Sequence, residues 1–504
     1  MKGLCPFKNI PSPSPLKERG TKGERLVNKI TNPIKFGTDG WRGIIAQDFT
    51  FDNVRVCAQA VAEYLKQTGL ASRGLIVGYD TRFASEDFAS AVAEVVAGNG
   101  IKVCLCPRAT PTPVISFGVL AQKAGGAIVI TASHNPAIWS GFKYKTKDGA
   151  GAPSEVTAEL EKYISRIITT EKINQLPLAQ ALEQGLVEYL DLAPIYLHHL
   201  TSLVDLNELR RAKLKVVIDP MYGAGIGYFK TLLGNGAIEL IEINSERNPL
   251  FPGIQPEPIA ANLAKLSATV KRQKADVGVA VDGDADRLGI VDENGVFLTP
   301  PQVFALLCLY LLEVRGERGL IVKTINTTGM LYRLGEIFNT PVRETPVGFK
   351  YIAQVMLDKD ADVLIGGEES GGYGFRGHMP ERDGILSGLY FLDLMIKTGK
   401  SPSQLIDYLY SKVGPHYFKR IDIEFPAEKR QEITNRIKHN PPQSIEGIKV
   451  KLDTKDGFRF ILADTTWLLI RFSGTEPVLR LYAESNTQAR VERLLELGRE
   501  LAGV

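Results

Sequence analysis

The chain has 504 residues, 44% of them hydrophobic and 23% charged, and a formal net charge of +3. That length exceeds a single hydrophobic core and, at roughly 100–200 residues per domain, predicts three or four domains. The near-neutral charge, without a Lys/Arg block interleaved with aromatics, argues against nucleic acid as a partner; an apolar run reaching only from Val303 to Leu312 argues against a membrane span.

Five cysteines, an odd number without a Cys-x-x-Cys pair, read as reduced thiols in a cytoplasmic protein. Residues 1–33 include Pro11-Ser12-Pro13-Ser14-Pro15 and the charged stretch Lys17–Arg25. They lack periodicity and a signal-type apolar core, and are expected to form a disordered extension.

Order is expected from Ile34. The glycines of Phe36-Gly37-Thr38-Asp39-Gly40-Trp41-Arg42-Gly43 suit close turns, and Arg42 has the reach to meet a phosphate. Asn53–Leu65 has helical spacing, Leu75–Tyr79 reads as a strand, Glu86–Ala97 as a helix and Ile101–Cys106 as a strand. Cys104 and Cys106 fall on one face of that strand and read as packing residues. The helix Pro113–Lys123 leads into a buried strand, Gly126–Ile130, which empties into Thr131-Ala132-Ser133-His134-Asn135-Pro136. The alternation predicts a parallel, helix-covered layer with Ser133 on a loop at a strand's carboxyl end, where open α/β sheets bind ligands. A hydrolase nucleophile fits poorly because the Gly-x-Ser-x-Gly elbow is absent, and His134, as the immediate neighbour, does not easily turn back on Ser133. Lys143 follows within ten residues.

The pattern then repeats. Leu214–Ile218, Ile238–Ile243 and Val277–Val281 read as strands, Ile259–Lys274 as a helix, and the last strand ends in Asp282-Gly283-Asp284-Ala285-Asp286-Arg287. A third unit comprises helix Pro301–Val314, strand Leu320–Lys323, helix Gly329–Ile337 and strand Asp362–Ile365. That strand ends in Gly366-Gly367-Glu368-Glu369-Ser370-Gly371-Gly372, and Asp383 is positioned to cap a helix from Gly384. From Tyr417 the chain reads strand, helix, several strands and a final helix. The strand Trp467–Ile470 there leads into Arg471-Phe472-Ser473-Gly474-Thr475-Glu476-Pro477. The implied limits are 34–190, 191–299, 300–415 and 416–504.

Each loop implies a chemistry. Three carboxylates as close as Asp282, Asp284 and Asp286 repel one another unless a cation sits among them, which suits a hard ion such as Mg²⁺. A calcium EF-hand is excluded because Arg287 replaces the glycine of its sixth position and a strand precedes it. An Asp-x-Asp phosphatase loop, with Asp282 as nucleophile, is a weaker alternative. Glu368, Ser370 and their glycines offer acceptors and backbone donors suited to sugar hydroxyls. Arg471, Ser473, Gly474 and Thr475 combine a guanidinium, hydroxyls and backbone amides in a phosphate-binding composition.

With Thr131–Pro136, Asp282–Arg287, Gly367–Gly372 and Arg471–Pro477 in this order, the chain resembles the α-D-phosphohexomutase superfamily from about Phe36 onward. The resemblance implies a heart-shaped, four-domain enzyme with three related mixed-sheet α/β domains and a TATA-box-binding-protein-like α+β fourth. It implies that Ser133 carries a phosphoryl group and joins Asp282, Asp284 and Asp286 around Mg²⁺. Lys143 would be general acid/base, assisted by His134, with Arg42 and Arg287 steadying charge. Arg471, Ser473, Gly474 and Thr475 would hold the distal phosphate of a sugar monophosphate.

Thr345-Pro346-Val347-Gly348-Phe349-Lys350 resembles the phosphoglucomutase form of the specificity loop, making Gly348, Phe349 and Lys350 substrate-binding candidates. Phe349 and Gly372 stand where many bifunctional phosphomannomutases carry histidines, which favours glucose phosphates. The expected activity interconverts glucose 1-phosphate and glucose 6-phosphate, with glucose 1,6-bisphosphate as intermediate and activator and mannose phosphates as further candidate substrates. A glucose 1,6-bisphosphate synthase and a catalytically silent sugar-phosphate sensor are the alternatives.

Overall fold

The computed structural model describes residues 34–37, 39–170, 172–439, 441–473 and 478–504; the expected extension, 1–33, lies outside them. Three α/β units are each built on a mixed sheet, and a fourth unit is wholly antiparallel.

The first sheet runs in the order Trp41–Ile44, Trp139–Lys145, Ala127–Ile130, Leu75–Tyr79, Val103–Leu105, Val187–Tyr189. Its last four strands are parallel. Leu75–Tyr79 and Ala127–Ile130 are buried at every position, as strands covered on both faces must be. Phe51–Gln67, Ser85–Gly98 and Thr112–Gln122 are helices, close to their expected limits. The first of these is capped by Thr50, whose side chain accepts from the Asn53 backbone N–H. Cys106 is buried and Cys104 packs against the same core, which supports a packing role for both.

After Ser133 the sheet becomes mixed, as the family resemblance implied and the strand–helix alternation alone did not. Trp139–Lys145 returns antiparallel to Ala127–Ile130, with Val129 opposite Lys143. The link between these strands is too short for the crossover of about a dozen residues that a parallel partner needs, so the chain must double back. The same device recurs twice. Val277–Val281 is followed by the antiparallel strand Leu288–Val291, with the Asp282–Arg287 turn between them. Val363–Gly367 is followed by the antiparallel strand Tyr373–Phe375, with Glu368–Gly372 between them. Each site loop is therefore tied down at both ends by sheet hydrogen bonds, which restricts its backbone more than an open strand-to-helix turn would.

Asp383 caps the helix Gly384–Thr398 as expected, accepting from the Leu386 N–H. That helix, buried from Gly384 to Met395, packs into a core cluster shared by all three α/β units, with Ile76, Val279, Phe304 and Leu389 among its members. In the fourth unit six antiparallel strands from Tyr417–Glu424 to Val478–Ser485 pack on the helices Arg430–His439 and Gln488–Ala502. Among the described residues no helix is long and apolar enough to cross a membrane.

Candidate active site

Ser133 is buried and its backbone is left-handed, with φ of +52°. An L-residue holds that conformation only when its surroundings fix it. Here the Ser133 N–H donates to Thr131 Oγ1 at 2.8 Å, and Thr131 Oγ1 donates to Asp80 Oδ2 at 2.6 Å. Arg82, fully buried, closes the loop from the other side. Its guanidinium donates to the carbonyls of Ser133 and Asn135 at 2.6 Å, Pro136 at 2.9 Å and Trp139 at 3.0 Å, while Nε pairs with Asp80 at 3.1 Å. The left-handed turn also brings His134 Nδ1 to 3.4 Å from Ser133 Oγ, so His134 does reach back, contrary to the expectation for an adjacent residue. Burial, then the nearby Arg287, Arg42 and Lys143 charges, push the His134 pKa well below its usual range and keep the ring neutral.

Ser133 Oγ donates to Asp282 Oδ2 at 2.8 Å, which joins two loops 149 residues apart in sequence. Asp282, Asp284 and Asp286 are fully buried, and one carboxylate oxygen from each lies within 4.8 Å of the others. Burial, followed by repulsion from Asp284 and Asp286, raises the Asp282 pKa well above the carboxylate range. Asp284 Oδ1 and Asp286 Oδ1 are buried without a hydrogen-bond partner. Orphaned, mutually repelling carboxylate oxygens at this spacing fit a hard divalent cation such as Mg²⁺.

Lys143, also buried, approaches Asp39 Oδ2 at 2.7 Å, Asp284 Oδ2 at 2.9 Å and Asp286 Oδ2 at 3.7 Å. Burial works against its ammonium, but Asp284, Asp39 and Asp286 outweigh it and raise the Lys143 pKa. Arg42 donates through Nη1 to Asn135 Oδ1, beside Ser133. Arg287 Nη1 lies 3.3 Å from Glu257 Oε1, and its backbone N–H donates to Asp282 Oδ1 at 3.1 Å.

The other expected loops lie against this cluster through intermediaries. Arg382 Nη2 sits 2.7 Å from Asp286 Oδ2 and its Nη1 3.3 Å from Glu368 Oε2. Burial raises the Glu368 pKa to about 7, against the pull of Arg382. Gly348, with φ of +129°, precedes the helix Phe349–Leu357, and Phe349 is buried under the Arg382 guanidinium. Lys350 points elsewhere: its Nζ donates to Ser154 Oγ at 2.9 Å on an exposed face. Ser370 is half-buried in the turn after Glu369.

In the fourth unit Arg471 Nε donates to Asp456 Oδ1 at 3.0 Å, and Asp456 Oδ2 accepts from the Val347 N–H at 2.8 Å. This single carboxylate therefore holds Arg471 beside the 345–350 segment. Ser473 is buried, its N–H donating to the Val478 carbonyl at 2.8 Å. The expected contacts of Gly474 and Thr475 lie outside the described residues.

A nucleophile-type serine hydrogen-bonded into a metal-fitting aspartate cluster, with a guanidinium bridge to a glycine-rich acidic loop, gives the comparisons with known proteins their meaning. The chain matches the phosphoglucomutase/phosphomannomutase domains in order: α/β/α domain I over 33–171, II over 194–295, III over 299–413 and the C-terminal domain over 428–500. The chain belongs to the α-D-phosphohexomutase superfamily. As a phosphohexomutase it is an intramolecular phosphotransferase of the isomerase class. It is 32% identical to a phosphoglucomutase/phosphomannomutase of Thermococcus kodakarensis, over 92% of this chain and 98% of that one. It is 31% identical to a phosphoglucosamine/phosphogalactosamine mutase of Sulfurisphaera tokodaii, over 90% and 95%. A Thermus thermophilus crystal structure assigned as a phosphomannomutase superposes with a TM-score of 0.81 at 36% identity, covering 94% and 99%.

Sequence reading of this phosphohexomutase missed Arg82, Asp39 and Arg382. Asp39 meets Lys143 and, at 2.8 Å, Arg382 Nη2, across 343 residues of sequence. Neither Asp39 nor Arg382 directly follows a predicted strand, the signal that located the other loops. For Arg82 that signal existed: Asp80-Thr81-Arg82 follows the strand Leu75–Tyr79 directly.

Proposed function

We propose that this phosphohexomutase is a cytoplasmic phosphoglucomutase, interconverting glucose 1-phosphate and glucose 6-phosphate through a phosphoserine at Ser133. The observation that carries the reading is the 2.8 Å hydrogen bond from Ser133 Oγ to Asp282 Oδ2 inside the aspartate cluster. Asp282, Asp284 and Asp286, with Ser133, would hold Mg²⁺, whose charge would offset that of the phosphoryl group in transfer.

The phosphoserine donates its phosphoryl group to the free hydroxyl of the bound sugar monophosphate. The resulting glucose 1,6-bisphosphate turns over and returns its other phosphate to Ser133. Lys143 and Arg287 present positive charge where the transferring group resides, and the raised Lys143 pKa keeps its ammonium charged to neutralise that group. Neutral His134, 3.4 Å from Ser133 Oγ, is available to accept the hydroxyl proton. Arg42 steadies the loop through Asn135. Glu368 and Ser370 take sugar hydroxyls, and Arg471 and Ser473, with Gly474 and Thr475, hold the distal phosphate in both orientations. Gly348 and Phe349 support this subsite; Lys350, engaged with Ser154 on an exposed face, stands apart from it.

Glucose is favoured because Phe349 and Gly372 both lie against Arg382 and offer the sugar no imidazole. We draw the domain limits at 34–190, 191–299, 300–415 and 416–504, supported by the sheet to which each strand belongs.

The test is an assay of purified protein with glucose, mannose and glucosamine 1-phosphates, with and without glucose 1,6-bisphosphate, alongside Ser133→Ala. Wild type is expected to turn over glucose 1-phosphate, accelerated by the bisphosphate, and to carry phosphate on Ser133 by intact mass. Ser133→Ala is expected to fold normally and lose at least about a thousandfold in rate, as removal of a covalent nucleophile does. Transfer surviving in Ser133→Ala would overturn the assignment. Net accumulation of bisphosphate from a second donor would convert the reading to a bisphosphate synthase.

A further inference from the structure

Arg382 occupies the junction of the three α/β units. Its Nη2 meets Asp286 Oδ2 at 2.7 Å and Asp39 Oδ2 at 2.8 Å, its Nε meets Glu381 Oε1 at 3.2 Å, and its Nη1 meets Glu368 Oε2 at 3.3 Å. A guanidinium has five N–H donors in a fixed plane. Three of them donate to Glu381, Glu368 and Asp39, and Nη2 also pairs electrostatically with Asp286, so one Nη1–H remains beside Glu368 among the described contacts.

The seat of this side chain is carved by two residues. A Cβ added at Gly372 would stand 2.3 Å from Arg382 Cδ and 2.8 Å from its Cγ, closer than packed atoms tolerate. The φ of Gly372 lies outside the left-handed region, so its backbone accepts any residue and the missing side chain serves only to make room for Arg382. The ring of buried Phe349 also packs on this side chain, its centroid 5.6 Å from the guanidinium carbon, a cation–π distance. The ring and the surrounding carboxylates together hold the guanidinium, and its Nη1 bonds one oxygen of Glu368.

Resting on the phosphohexomutase reading of the Glu368 loop, we propose that Arg382 is the residue that sets hexose selectivity, seated by Gly372 and Phe349. The uncommitted Nη1–H and the Glu368 carboxylate form an adjacent donor and acceptor. One sugar hydroxyl can donate to Glu368 while accepting from Arg382, but its epimer, pointing to the other ring face, leaves both groups unpaired. Unpaired buried polar groups are what give hydrogen-bonding sites their large selectivity. A lysine in place of Arg382 would keep the charge and lose the planar fork.

The experiment measures kcat and KM for glucose 1-phosphate and for its epimers mannose 1-phosphate and galactose 1-phosphate. The proteins are wild type, Gly372→Ala, Arg382→Lys and the double variant. The readout is the ratio of kcat/KM between sugars, which cancels any general loss of activity. Wild type is expected to prefer one sugar by about a hundredfold or more, and each single variant to reduce that preference by at least about tenfold. The double variant is expected to match Arg382→Lys alone, because Gly372 acts through Arg382. An unchanged ratio in Arg382→Lys, or a multiplicative loss in the double variant, overturns the proposal while leaving the mutase assignment intact. Absence of turnover with all three sugars in wild type overturns both. Should Gly372→Ala fail to fold, Arg382→Lys by itself decides.

Discussion

The two ends of the site solve opposite electrostatic problems. Around Ser133, acids are concentrated: three aspartates are wholly buried, three of their oxygens have no hydrogen-bond partner, and the cations Lys143 and Arg382 are already shared among several carboxylates. In the fourth unit, cations are arrayed on one register of a sheet, where Asp422 pairs with Arg480 and Arg480 with Arg471 across three strands. There each arginine leans on a carboxylate, Arg471 on Asp456 and Arg480 on Asp422 at 3.5 Å. Arg420, two residues along, is forked onto Asp422 at 2.6 and 2.7 Å and reaches to 3.8 Å from Glu369. One end leaves buried carboxylate oxygens without hydrogen-bond partners, and the other lines up arginines on one sheet register. On the proposed function, this difference suits the Ser133 end to a metal and a transferring phosphoryl group, and the Arg471 end to the anion that does not react.

Breaking the acidic end should cost most. Removing divalent cation with a chelator is expected to abolish turnover, and Mg²⁺ to restore it. Asp284→Asn takes away one ligand charge and is expected to lower kcat, or raise the Mg²⁺ requirement, by about tenfold to a hundredfold. Phosphate trapped on Asp282 rather than Ser133, seen by peptide mass spectrometry, would instead reveal a phosphatase-type nucleophile.

Next comes the clamp that shapes the loop. Arg82→Ala frees four carbonyls and leaves Asp80 buried without its cation, so it is expected to destabilise the protein by about 3–5 kcal/mol in denaturant unfolding. Asp80 carries hydrogen bonds from Ser85 and Thr131 as well, so Arg82→Lys, which keeps the charge but not the fork, should recover part of that loss. Equal stability of wild type and Arg82→Ala would remove the clamp from the account.

At the cationic end the effect should be smaller and symmetric. Arg471→Ala is expected to weaken substrate binding by about 1.5–3 kcal/mol, the range for a charge-assisted hydrogen bond. The forward and reverse reactions, from glucose 1-phosphate and glucose 6-phosphate, should suffer alike. Impairment in one direction only would mean that the two ends do not share one distal-phosphate site.

The mildest effect belongs to Glu368, which lies between the ends. Burial raises its pKa to about 7, so it is ionised above that pH and protonated below it. As an acceptor of sugar hydroxyls it should function in the carboxylate form, and kcat/KM should fall by up to about tenfold per unit as pH drops below 7. The stability sign follows from the same shift. An acid whose pKa is higher in the folded state favours folding at low pH, and that contribution is lost as pH rises from the usual glutamate range through 7. Glu368→Gln should flatten this limb of the rate profile; an unaltered profile would show that another group sets it.

Much of this organisation was legible beforehand. Strands such as Leu75–Tyr79 and Val277–Val281 matched residue for residue, because runs of apolar β-formers bounded by glycine or charge carry their own boundary signals. The Asp383 cap was legible for a similar reason, since a capping side chain bonds within its own first turn. Trp139–Lys145 was less legible: Phe142 and Tyr144 form one buried face, but the opposite face carries Lys143 and Lys145, which read as solvent-exposed and are buried too.

The sequence by itself determined which residues could do chemistry and in what order: a serine, an aspartate cluster, an acidic glycine loop and an arginine-serine loop, each after a strand. Those are local facts of residue type, spacing and periodicity. The tertiary structure alone decided how their charges are balanced. Lys143 finds Asp284 across 141 residues, Lys145 finds Glu381 across 236, and Arg382 finds Asp39 across 343. A buried charge is tolerable only beside an opposite one, and which opposite charge arrives is fixed by the packing of sheets from different units, not by anything near it in the chain.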